Sequence, residues 1–251
     1  MQLAMNEING HANGHISNHK FDSIEDSIAA FRRGEFVVVL DDEDRENEGD
    51  LIIAAQDVTT EKMAFMIRYT SGYVCTPITP TLAKSLDLPQ MVADNEDPKK
   101  TAYTVSIDAD HELVSTGISA HDRALTCRTL ASPKVKAEHL RRPGHVIPLR
   151  ARPGGVLERT GHTEAAVEFC RLAGKNEVAA IGEMVEDGEV VPGEAIMKEP
   201  GMMRRDACLE FGKKWGLKVC TIADLVEYVK HEKGTVNSET SNGVNGVNGY
   251  H

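Results

Sequence analysis

A run of acidic residues lies between two short apolar segments, and it restricts the possible fold more than any other feature. Phe36–Leu40 and Leu51–Ala55 have the length and β-branched composition of buried strands. Between them, seven of the ten residues of Asp41–Asp50 are carboxylates. Such crowding of like charge costs stability unless a cation or a basic group offsets it. The sequence therefore predicts two strands joined by an acidic loop, which is either a divalent-cation site or a solvated charged turn.

The residue order within the acidic run indicates which cation it binds. The segment Asp44–Gly49 looks superficially like a calcium loop, but its twelfth position is Ala55, where a calcium loop requires a bidentate glutamate. Magnesium requires only one or two protein carboxylates and takes water and substrate oxygens for its other positions. Arg45, beside Glu46, can hold a phosphate or carboxylate close to the metal. The run therefore predicts a magnesium site next to an anionic ligand.

Helical and strand patterns alternate along the chain. Apolar spacing, caps and glycine stops predict helices at residues 23–33, 61–70, 119–132, 165–172, 204–215 and 222–231. Short apolar runs predict strands at residues 36–40, 51–55, 73–77, 104–107, 178–183 and 218–221. This alternation predicts an α+β fold of the α/β type, a single domain in which a mixed sheet is flanked by helices in three layers.

The two ends of the chain differ in composition from its middle. Residues 1–20 repeat Asn-Gly-His and are expected to form a flexible arm. Residues 233–251 carry a Gly-Val-Asn repeat and are expected to be a disordered tail. Residues 21–232 remain as a single folded domain, which is the candidate catalytic domain.

Charge and composition argue against several classes of function. The net charge is −11 at pH 7 and the basic residues are scattered, so nucleic acid is not an expected partner. No apolar run approaches the roughly 18 residues that cross a bilayer, and the start of the chain has no secretion-signal pattern. The five cysteines include no C-x-x-C motif. They indicate reduced thiols in a cytoplasmic protein rather than a disulfide framework or a zinc site.

Three further segments carry residues suited to catalysis or anion binding. Arg159–Glu164 precedes a predicted helix capped by Thr163, where free backbone N–H groups and an arginine favour a phosphate. His145 follows a Pro-Gly pair and is expected at a turn, where it can transfer protons. Ser115–Arg123 surrounds a glycine with hydroxyls and can contact a phosphate or a sugar. Each segment also has a plain structural alternative: a capped helix, an ordinary turn or a helix cap.

Together, these segments resemble 3,4-dihydroxy-2-butanone 4-phosphate synthase, a family of the riboflavin pathway. The likeness rests on Asp41–Leu51, Ser115–Arg123, Arg142–Arg150 and Gly161–Glu164, in that order along the chain. It extends over nearly all of residues 21–230. Some members of the family are fused to GTP cyclohydrolase II, whose zinc-binding cysteine cluster this sequence lacks. The resemblance therefore implies the single-function form.

The resemblance implies a lyase that converts D-ribulose 5-phosphate to L-3,4-dihydroxy-2-butanone 4-phosphate and formate. The implied steps are enolisation, loss of water, rearrangement of the carbon skeleton and release of C4 as formate. It also implies Mg²⁺ as cofactor, with Mn²⁺ as a substitute, and a cytoplasmic homodimer whose sites are completed across the interface. Two alternatives stay open: a metal-dependent sugar-phosphate isomerase or aldolase that releases no formate, and a cation-binding module without enzymatic activity.

Residue roles are implied at the matched positions. Glu46 and His162 would be the metal ligands. The residues implied to bind substrate are Arg45, Glu46, Asp50, Arg159, Thr160, Gly161, His162, Thr163 and Glu183. The residues implied to be catalytic are His145, Glu183 and Asp50, with Asp50 a candidate for the first base. Further residues placed near the site without an assigned role are Cys75, Thr116, Ser119 and Asp122.

Overall fold

The computed structural model describes residues 21–242, with side chains described to residue 232. Its α-helices are α1 (Ile24–Arg32), α2 (Thr60–Tyr69), α3 (Pro80–Ser85), α4 (Ala120–Leu130), α5 (His162–Leu172), α6 (Arg205–Trp215) and α7 (Ile222–Asn242). Its strands are β1 (Val37–Leu40), β2 (Gly49–Ala54), β3 (Cys75–Ile78), β4 (Ile107–Ala109), β5 (Leu140–Arg150), β6 (Ala179–Glu183), β7 (Val185–Glu186), β8 (Glu189–Val190), β9 (Met197–Lys198), β10 (Gly201–Met202) and β11 (Lys218–Thr221). The arm predicted at residues 1–20 and the end of the predicted tail, residues 243–251, lie outside the described residues.

Seven strands form one mixed sheet in the order β11-β1-β2-β6-β3-β5-β4. β1 runs parallel to β11, and β3 runs parallel to β5. The other neighbouring strands in this sheet are antiparallel. The four remaining strands form two short ribbons, β7 with β10 and β8 with β9. The predicted mixed sheet is therefore confirmed.

The sheet is buried on both faces, because side chains of its central strands alternate between two hydrophobic cores. Val38 and Leu40 of β1 belong to the core that includes residues of α2, α4 and α6. Val37 and Val39 belong to the core that includes residues of α1, α5 and α7. Strands buried on both faces need helices on both sides. The predicted three-layer arrangement is confirmed.

Local sequence signals set the helix ends. Ser23, Thr59 and Ser119 each accept a hydrogen bond from a backbone N–H in the first turn of the helix that follows. These hydroxyls satisfy donors that have no partner inside the helix. α6 ends at Gly216, whose φ of 67° is left-handed and costs glycine little. The predicted starts and stops of α1, α2, α4 and α6 therefore agree with the structure to within one or two residues.

α5 begins earlier than the sequence predicts. Its first residue is His162 rather than Ala165, and Gly161 occupies the capping position expected for Thr163. Gly161 offers no capping side chain, so the helix starts without a side-chain cap bond. The consequence for function is that His162 and Thr163 lie inside the first helical turn and are buried there.

β5 is an eleven-residue strand that the sequence analysis did not predict. His145 therefore lies within a strand and not at a turn, although a Pro-Gly pair usually indicates a turn. A Cβ added at Gly144 would lie 2.0 Å from the carbonyl carbon of Ile107 in β4. The glycine permits two strands to approach closely at the point where their register shifts, between Ile107 and Asp108.

α7 is longer than predicted and continues to Asn242. Residues 233–242, which the sequence analysis assigned to a disordered tail, are helical. No proline follows Ile222 to interrupt the helix, and Gly234 alone costs only about 1 kcal/mol in a helix. Among residues 21–242, no helix combines the length and the apolar character that a membrane span requires.

Candidate active site

A small cavity opens where the acidic loop meets one end of the sheet. Asp50 in β2 and Glu183 at the end of β6 lie directly opposite each other in the antiparallel register. The cavity has a volume of about 180 Å³. Its lining residues are Arg45, Glu46, Asp50, Tyr73, Cys75, Asp97, Thr101, Tyr103, Leu149, Arg159, His162, Thr163, Ile181, Gly182 and Glu183. Those that the sequence analysis named are Arg45, Glu46, Asp50, Cys75, Arg159, His162, Thr163 and Glu183.

Asp41, which the sequence analysis did not single out, organises the acidic loop. Its side chain is fully buried and accepts hydrogen bonds from the backbone N–H groups of Glu46, at 3.2 Å, and Glu48, at 2.9 Å. It also accepts one from Arg45 Nη1 at 2.8 Å, and the same Nη1 contacts the Glu46 carboxylate. The loop is therefore folded around a buried carboxylate, while Asp42, Glu43 and Asp44 are exposed to solvent.

Two cationic side chains from distant segments hold the backbone of the acidic loop. Lys99 Nζ donates a hydrogen bond to the carbonyl of Arg45 at 2.7 Å. Arg204, at the start of α6, donates to the carbonyls of Glu46 and Asn47, both at 2.6 Å. Asn47 has a left-handed φ of 55°, which asparagine tolerates better than most residues. These contacts fix the position of Glu46 in the loop.

His162 brings a third donor group to the two carboxylates of this loop. Donor atoms of Asp41, Glu46 and His162 all lie within 4.8 Å of one another. His162 Nε2 lies 3.1 Å from the carbonyl oxygen of Val39. A carbonyl only accepts, so Nε2 carries the proton and Nδ1 keeps its lone pair. Burial lowers the pKa of His162 and thereby favours the neutral imidazole that binds metals.

Asp50 and Glu183 form a pair of carboxylates on the floor of the cavity. Burial raises the pKa of Asp50 well above its ordinary value, and repulsion from Glu46 and Asp41 adds to the effect. Burial also raises the pKa of Glu183, with repulsion from Asp50 and Glu46 contributing. Asp50 Oδ1 is buried without a hydrogen-bond partner and lies 3.6 Å from His162 Nδ1. Such an oxygen is costly unless a cation or a proton reaches it.

Arg159 is held rigidly at the opposite wall of the cavity. Its guanidinium donates to Glu164 at 2.5 Å, to the Thr101 hydroxyl at 3.0 Å and to the Lys99 carbonyl at 3.2 Å. A Cβ at Gly161 would lie 2.2 Å from Arg159 Nη1, so only glycine leaves room for this arrangement. A fixed guanidinium next to a helix start is suited to binding a phosphate.

Thr160 points to a neighbouring cavity and does not line the first. Most residues around that second cavity are cationic; the full set is Arg45, Lys99, Lys100, Arg152, Glu158, Arg159 and Thr160. Because Arg45 and Arg159 line both cavities, the positive charge extends from one into the other. An anionic group entering from this side would meet positive charge before it reached the carboxylates.

Cys75 is a predicted site residue that also belongs to one of the two hydrophobic cores. It begins β3, is buried, and lines the cavity next to Ile181 of β6. Burial, followed by repulsion from Asp50 and Glu183, raises the pKa of its thiol. The thiol is therefore protonated at neutral pH and is not an activated nucleophile.

The remaining predicted residues form a separate cluster and do not line the cavity. His145 Nδ1 lies 2.8 Å from the Asp108 carboxylate, and 41% of the His145 side chain is exposed. Asp122 is buried near this pair and accepts hydrogen bonds from Ser115 Oγ and the Gly117 N–H. Thr116 is exposed at the same turn, and Ser119 caps α4. Within one chain, His145 therefore does not line the cavity beside the acidic loop.

Four of the site residues that sequence reasoning missed lie between β3 and β4. Asp97, Thr101 and Tyr103 line the cavity, and Lys99 holds the acidic loop. Residues 91–103 show neither helical nor strand periodicity, so nothing in their spacing indicated a role. Asp41 differs from these, because its place directly after a buried strand is a signal that could have distinguished it from the more exposed acids.

Comparison with known proteins places the chain in one family. The family model described as 3,4-dihydroxy-2-butanone 4-phosphate synthase matches residues 25–228. The protein of that name from Pyricularia oryzae is 59% identical over 226 residues, which cover 90% of this chain and 97% of that protein. The riboflavin biosynthesis protein RibBA of Nocardia farcinica is 50% identical over 237 residues, which cover 92% of this chain and 55% of that protein.

Solved structures give the same result. A crystal structure of 3,4-dihydroxy-2-butanone 4-phosphate synthase in complex with two magnesium ions matches with a TM-score of 0.85 and 61% identity. The match covers 85% of this chain and 99% of that one. The sequence match, the fold and the order of the motifs thus agree. The chain belongs to the 3,4-dihydroxy-2-butanone 4-phosphate synthase family and is a lyase of riboflavin biosynthesis.

Proposed function

We propose that this chain converts D-ribulose 5-phosphate to L-3,4-dihydroxy-2-butanone 4-phosphate and formate. The observation that carries the proposal is a cation-binding group next to two arginines at one cavity. The donors are Asp41, Glu46 and His162, and the arginines are Arg45 and Arg159. A phosphorylated ketose offers vicinal oxygens, which a hard divalent cation binds, and a phosphate, which arginines bind.

We infer that the cation is Mg²⁺, for which Mn²⁺ can substitute. Two carboxylates and one neutral imidazole suit a small divalent ion that completes its coordination with water and substrate oxygens. The unpartnered Oδ1 of Asp50 supports a positive charge at this place, because such a charge would offset the cost of its burial. Glu46 and His162 would hold the ion, with Asp41 as a third candidate ligand. The two magnesium ions in the solved relative favour the same cation.

The residues of the cavity would have different roles in enolisation, the first part of the reaction. The bound ion would supply positive charge at the substrate carbonyl and its neighbouring hydroxyl. Arg45 and Arg159 would fix the phosphate and so align the carbon chain. Asp50 would accept the proton during enolisation, because it lines the cavity and its Oδ1 has no hydrogen-bond partner in the described structure. Glu183, opposite Asp50, would move protons in the later steps.

The later steps are proposed to be dehydration, rearrangement of the carbon skeleton and release of C4 as formate. The water lost in dehydration is taken up again when C4 leaves. The ketose is therefore converted to its two products without an external oxidant or reductant. Thr160, Gly161 and Thr163 would surround the phosphate at the start of α5, where backbone N–H groups are free.

We propose a homodimer in which His145 of the partner subunit completes each cavity. His145 lies outside the cavity of its own chain and is partly exposed, so a second copy can reach it. Thr116, Ser119 and Asp122 lie in the same cluster and would approach the substrate from the partner's side. A cytoplasmic location is proposed as well, because all five cysteines are free and buried.

Formate release from D-ribulose 5-phosphate tests the proposed reaction. The full chain with Mg²⁺ is expected to release formate and the phosphorylated butanone in equal amounts. A chelator should stop the release, and added Mg²⁺ or Mn²⁺ should restore it. An altered sugar phosphate without formate would favour an isomerase or aldolase. Mg²⁺ binding without any turnover would favour a cation-binding module.

A further inference from the structure

We propose that Asp108 is a positioning residue for His145, and that it holds the imidazole in the tautomer that leaves Nε2 free for proton transfer. This inference rests on the proposed function, in which His145 of the partner subunit completes the cavity, and on the proton-transfer role that the sequence analysis gives to His145. It adds a residue that lies outside the cavity and outside the motifs of the sequence analysis. The contacts that carry it belong to β4, β5 and the turn before α4.

Asp108 holds both the backbone and the side chain of His145. Its Oδ1 accepts a hydrogen bond from the His145 backbone N–H at 2.9 Å, and its Oδ2 lies 2.8 Å from His145 Nδ1. Asp108 is buried in β4, where it is held by the sheet. Two contacts from one rigid carboxylate leave the ring little freedom to turn.

The chemistry of the two groups fixes which nitrogen carries the proton. An ionised carboxylate only accepts hydrogen bonds, so Nδ1 must carry a proton to make this contact. In the neutral imidazole, Nε2 then keeps its lone pair. Within the described part of the chain, the structure gives Nε2 no hydrogen-bond partner. The pair therefore presents a proton acceptor at the surface, oriented by a third group as in other acid–base sites.

A glycine turn covers the contact between Asp108 and His145. A Cβ added at Gly117 would lie 2.1 Å from Asp108 Oδ2 and 2.5 Å from His145 Nδ1. Gly117 also has a left-handed φ of 90°, which side chains rarely adopt. The backbone thus passes directly over the hydrogen bond, and it excludes water from that side.

Asp122 fixes this turn in place. Its buried carboxylate accepts hydrogen bonds from the Gly117 N–H at 3.0 Å and from Ser115 Oγ at 2.8 Å. Burial alone would raise the pKa of Asp122, but the hydrogen bonds from Ser115, His121 and Gly117 outweigh it and lower the pKa. Asp122 is therefore an ionised anchor for the turn. This gives the predicted Ser115–Arg123 segment a structural role beside His145.

The tautomer of His145 in the intact enzyme is the first test. Full chain with ¹⁵N-labelled histidine is measured by NMR in neutral solution, and the signals of His145 are assigned by their loss in His145→Gln. The expected result is a proton on Nδ1 and none on Nε2. A wild-type His145 with its proton on Nε2 would overturn the positioning role, whatever the activity of the enzyme.

Asp108→Asn is the second test. The amide can still accept from the backbone N–H of His145, but its NH₂ then faces Nδ1 and favours the opposite tautomer. The proton is expected to move to Nε2, and kcat for formate release is expected to fall by about 10²-fold or more. KM is expected to change by less than about 2-fold, because substrate binding is not altered. A change in stability alone would move neither the tautomer nor the ratio of kcat to KM in this way.

Asp110→Asn is the matched control, since Asp110 is an exposed carboxylate two residues away that pairs with Arg141. It should retain wild-type kcat and the wild-type tautomer. A folded Asp108→Asn enzyme with wild-type kcat would overturn the positioning role. Failure of the proposed reaction gives a different result, because the wild-type chain would then release no formate. If the reaction occurs but His145 does not transfer protons, His145→Gln would release formate at the wild-type rate, even with the expected tautomer in the wild type.

Discussion

Two carboxylate–histidine pairs occur in this molecule, and their surroundings give them different chemistry. His162 and Asp50 lie 3.6 Å apart, and only 8% of the His162 side chain is exposed. His145 and Asp108 are in hydrogen-bond contact at 2.8 Å, and 41% of the His145 side chain is exposed. The residue types are the same in both pairs. The difference lies in burial and in which ring nitrogen is already occupied.

The occupied nitrogen decides what each histidine can do. The Val39 carbonyl occupies Nε2 of His162, so the Nδ1 lone pair faces the crowded carboxylates and suits a cation. The Asp108 carboxylate occupies Nδ1 of His145, so Nε2 faces outward and suits proton transfer. In both pairs, the hydrogen bond made by one ring nitrogen determines whether the other nitrogen suits a cation or a proton transfer.

The largest expected effect comes from removing the buried histidine. His162→Ala should lower the rate of formate release by about 10³-fold or more, because the cation loses its only imidazole donor in the described group. The protein should remain folded, as judged by circular dichroism. His111→Ala, at an exposed histidine, should keep wild-type activity. A His162→Ala enzyme with full activity would contradict the proposal that His162 binds the cation and His145 transfers protons.

Gly117→Ala should break the second pair and leave the first intact. The added methyl group would push Asp108 and His145 apart, and a shift of about 1 Å at a catalytic group can cost about 10²-fold in rate. We expect kcat to fall by at least about 10-fold while Mg²⁺ affinity stays unchanged. Gly193→Ala is the control: its φ is also left-handed, at 80°, but a Cβ there meets nothing within 4 Å. Equal loss of activity in both variants would contradict this explanation.

Arg159→Lys should affect substrate binding more than catalysis. Lysine keeps the charge but cannot contact Glu164, Thr101 and a phosphate with the same planar geometry. We expect KM for ribulose 5-phosphate to rise by about 10-fold, with kcat changed by less than about 3-fold. Arg68→Lys, at an exposed arginine that pairs with Asp187, should change neither constant. A loss confined to kcat would show that Arg159 does not mainly hold the phosphate.

Asp50→Asn should stabilise the metal-free protein. The folded-state pKa of Asp50 is raised above the ordinary value of 3.8, so the folded protein loses stability as the pH rises above that value. Asparagine carries no charge, so the variant removes the free-energy cost of burying an ionised carboxylate. Its Tm at pH 7 in chelator should exceed that of the wild type by a few degrees, since about 1 kcal/mol corresponds to about 2–4 °C at this size.

The pH dependence of that gain provides the control. The difference in Tm should narrow as the pH falls towards 4, where wild-type Asp50 becomes protonated in the unfolded chain too. A difference that is the same at all pH values would show that ionisation of Asp50 is not its cause. Activity should fall in the same variant, because a residue that is costly to the fold is retained for the reaction.

The sequence predicts the region around His162, with its acidic loop, better than the region around His145. Val37–Leu40 and the acids after it can be interpreted locally, because strand period and charge crowding act between neighbours in the chain. The place of Asp41 directly after a buried strand was a local signal, but the backbone N–H groups and the arginine that hold its side chain are brought to it only by the folded loop.

The second region depends on contacts between distant residues. Asp108 and His145 are 37 residues apart in the sequence and meet only because β4 pairs with β5. The strand itself was not predicted, because Pro143 and Gly144 indicate a turn when they are considered alone. A glycine that permits close approach of two strands cannot be distinguished from a turn glycine until its neighbour is known.

The most direct test of the central claim is a Mn²⁺ titration of the metal-free enzyme, followed by electron paramagnetic resonance. Glu46 and His162 are proposed to bind the same divalent cation. The wild type should bind Mn²⁺, Mg²⁺ should compete for the site, and both Glu46→Gln and His162→Ala should weaken binding by about 10-fold or more while His111→Ala does not. Wild-type affinity in the folded His162→Ala variant would contradict the account.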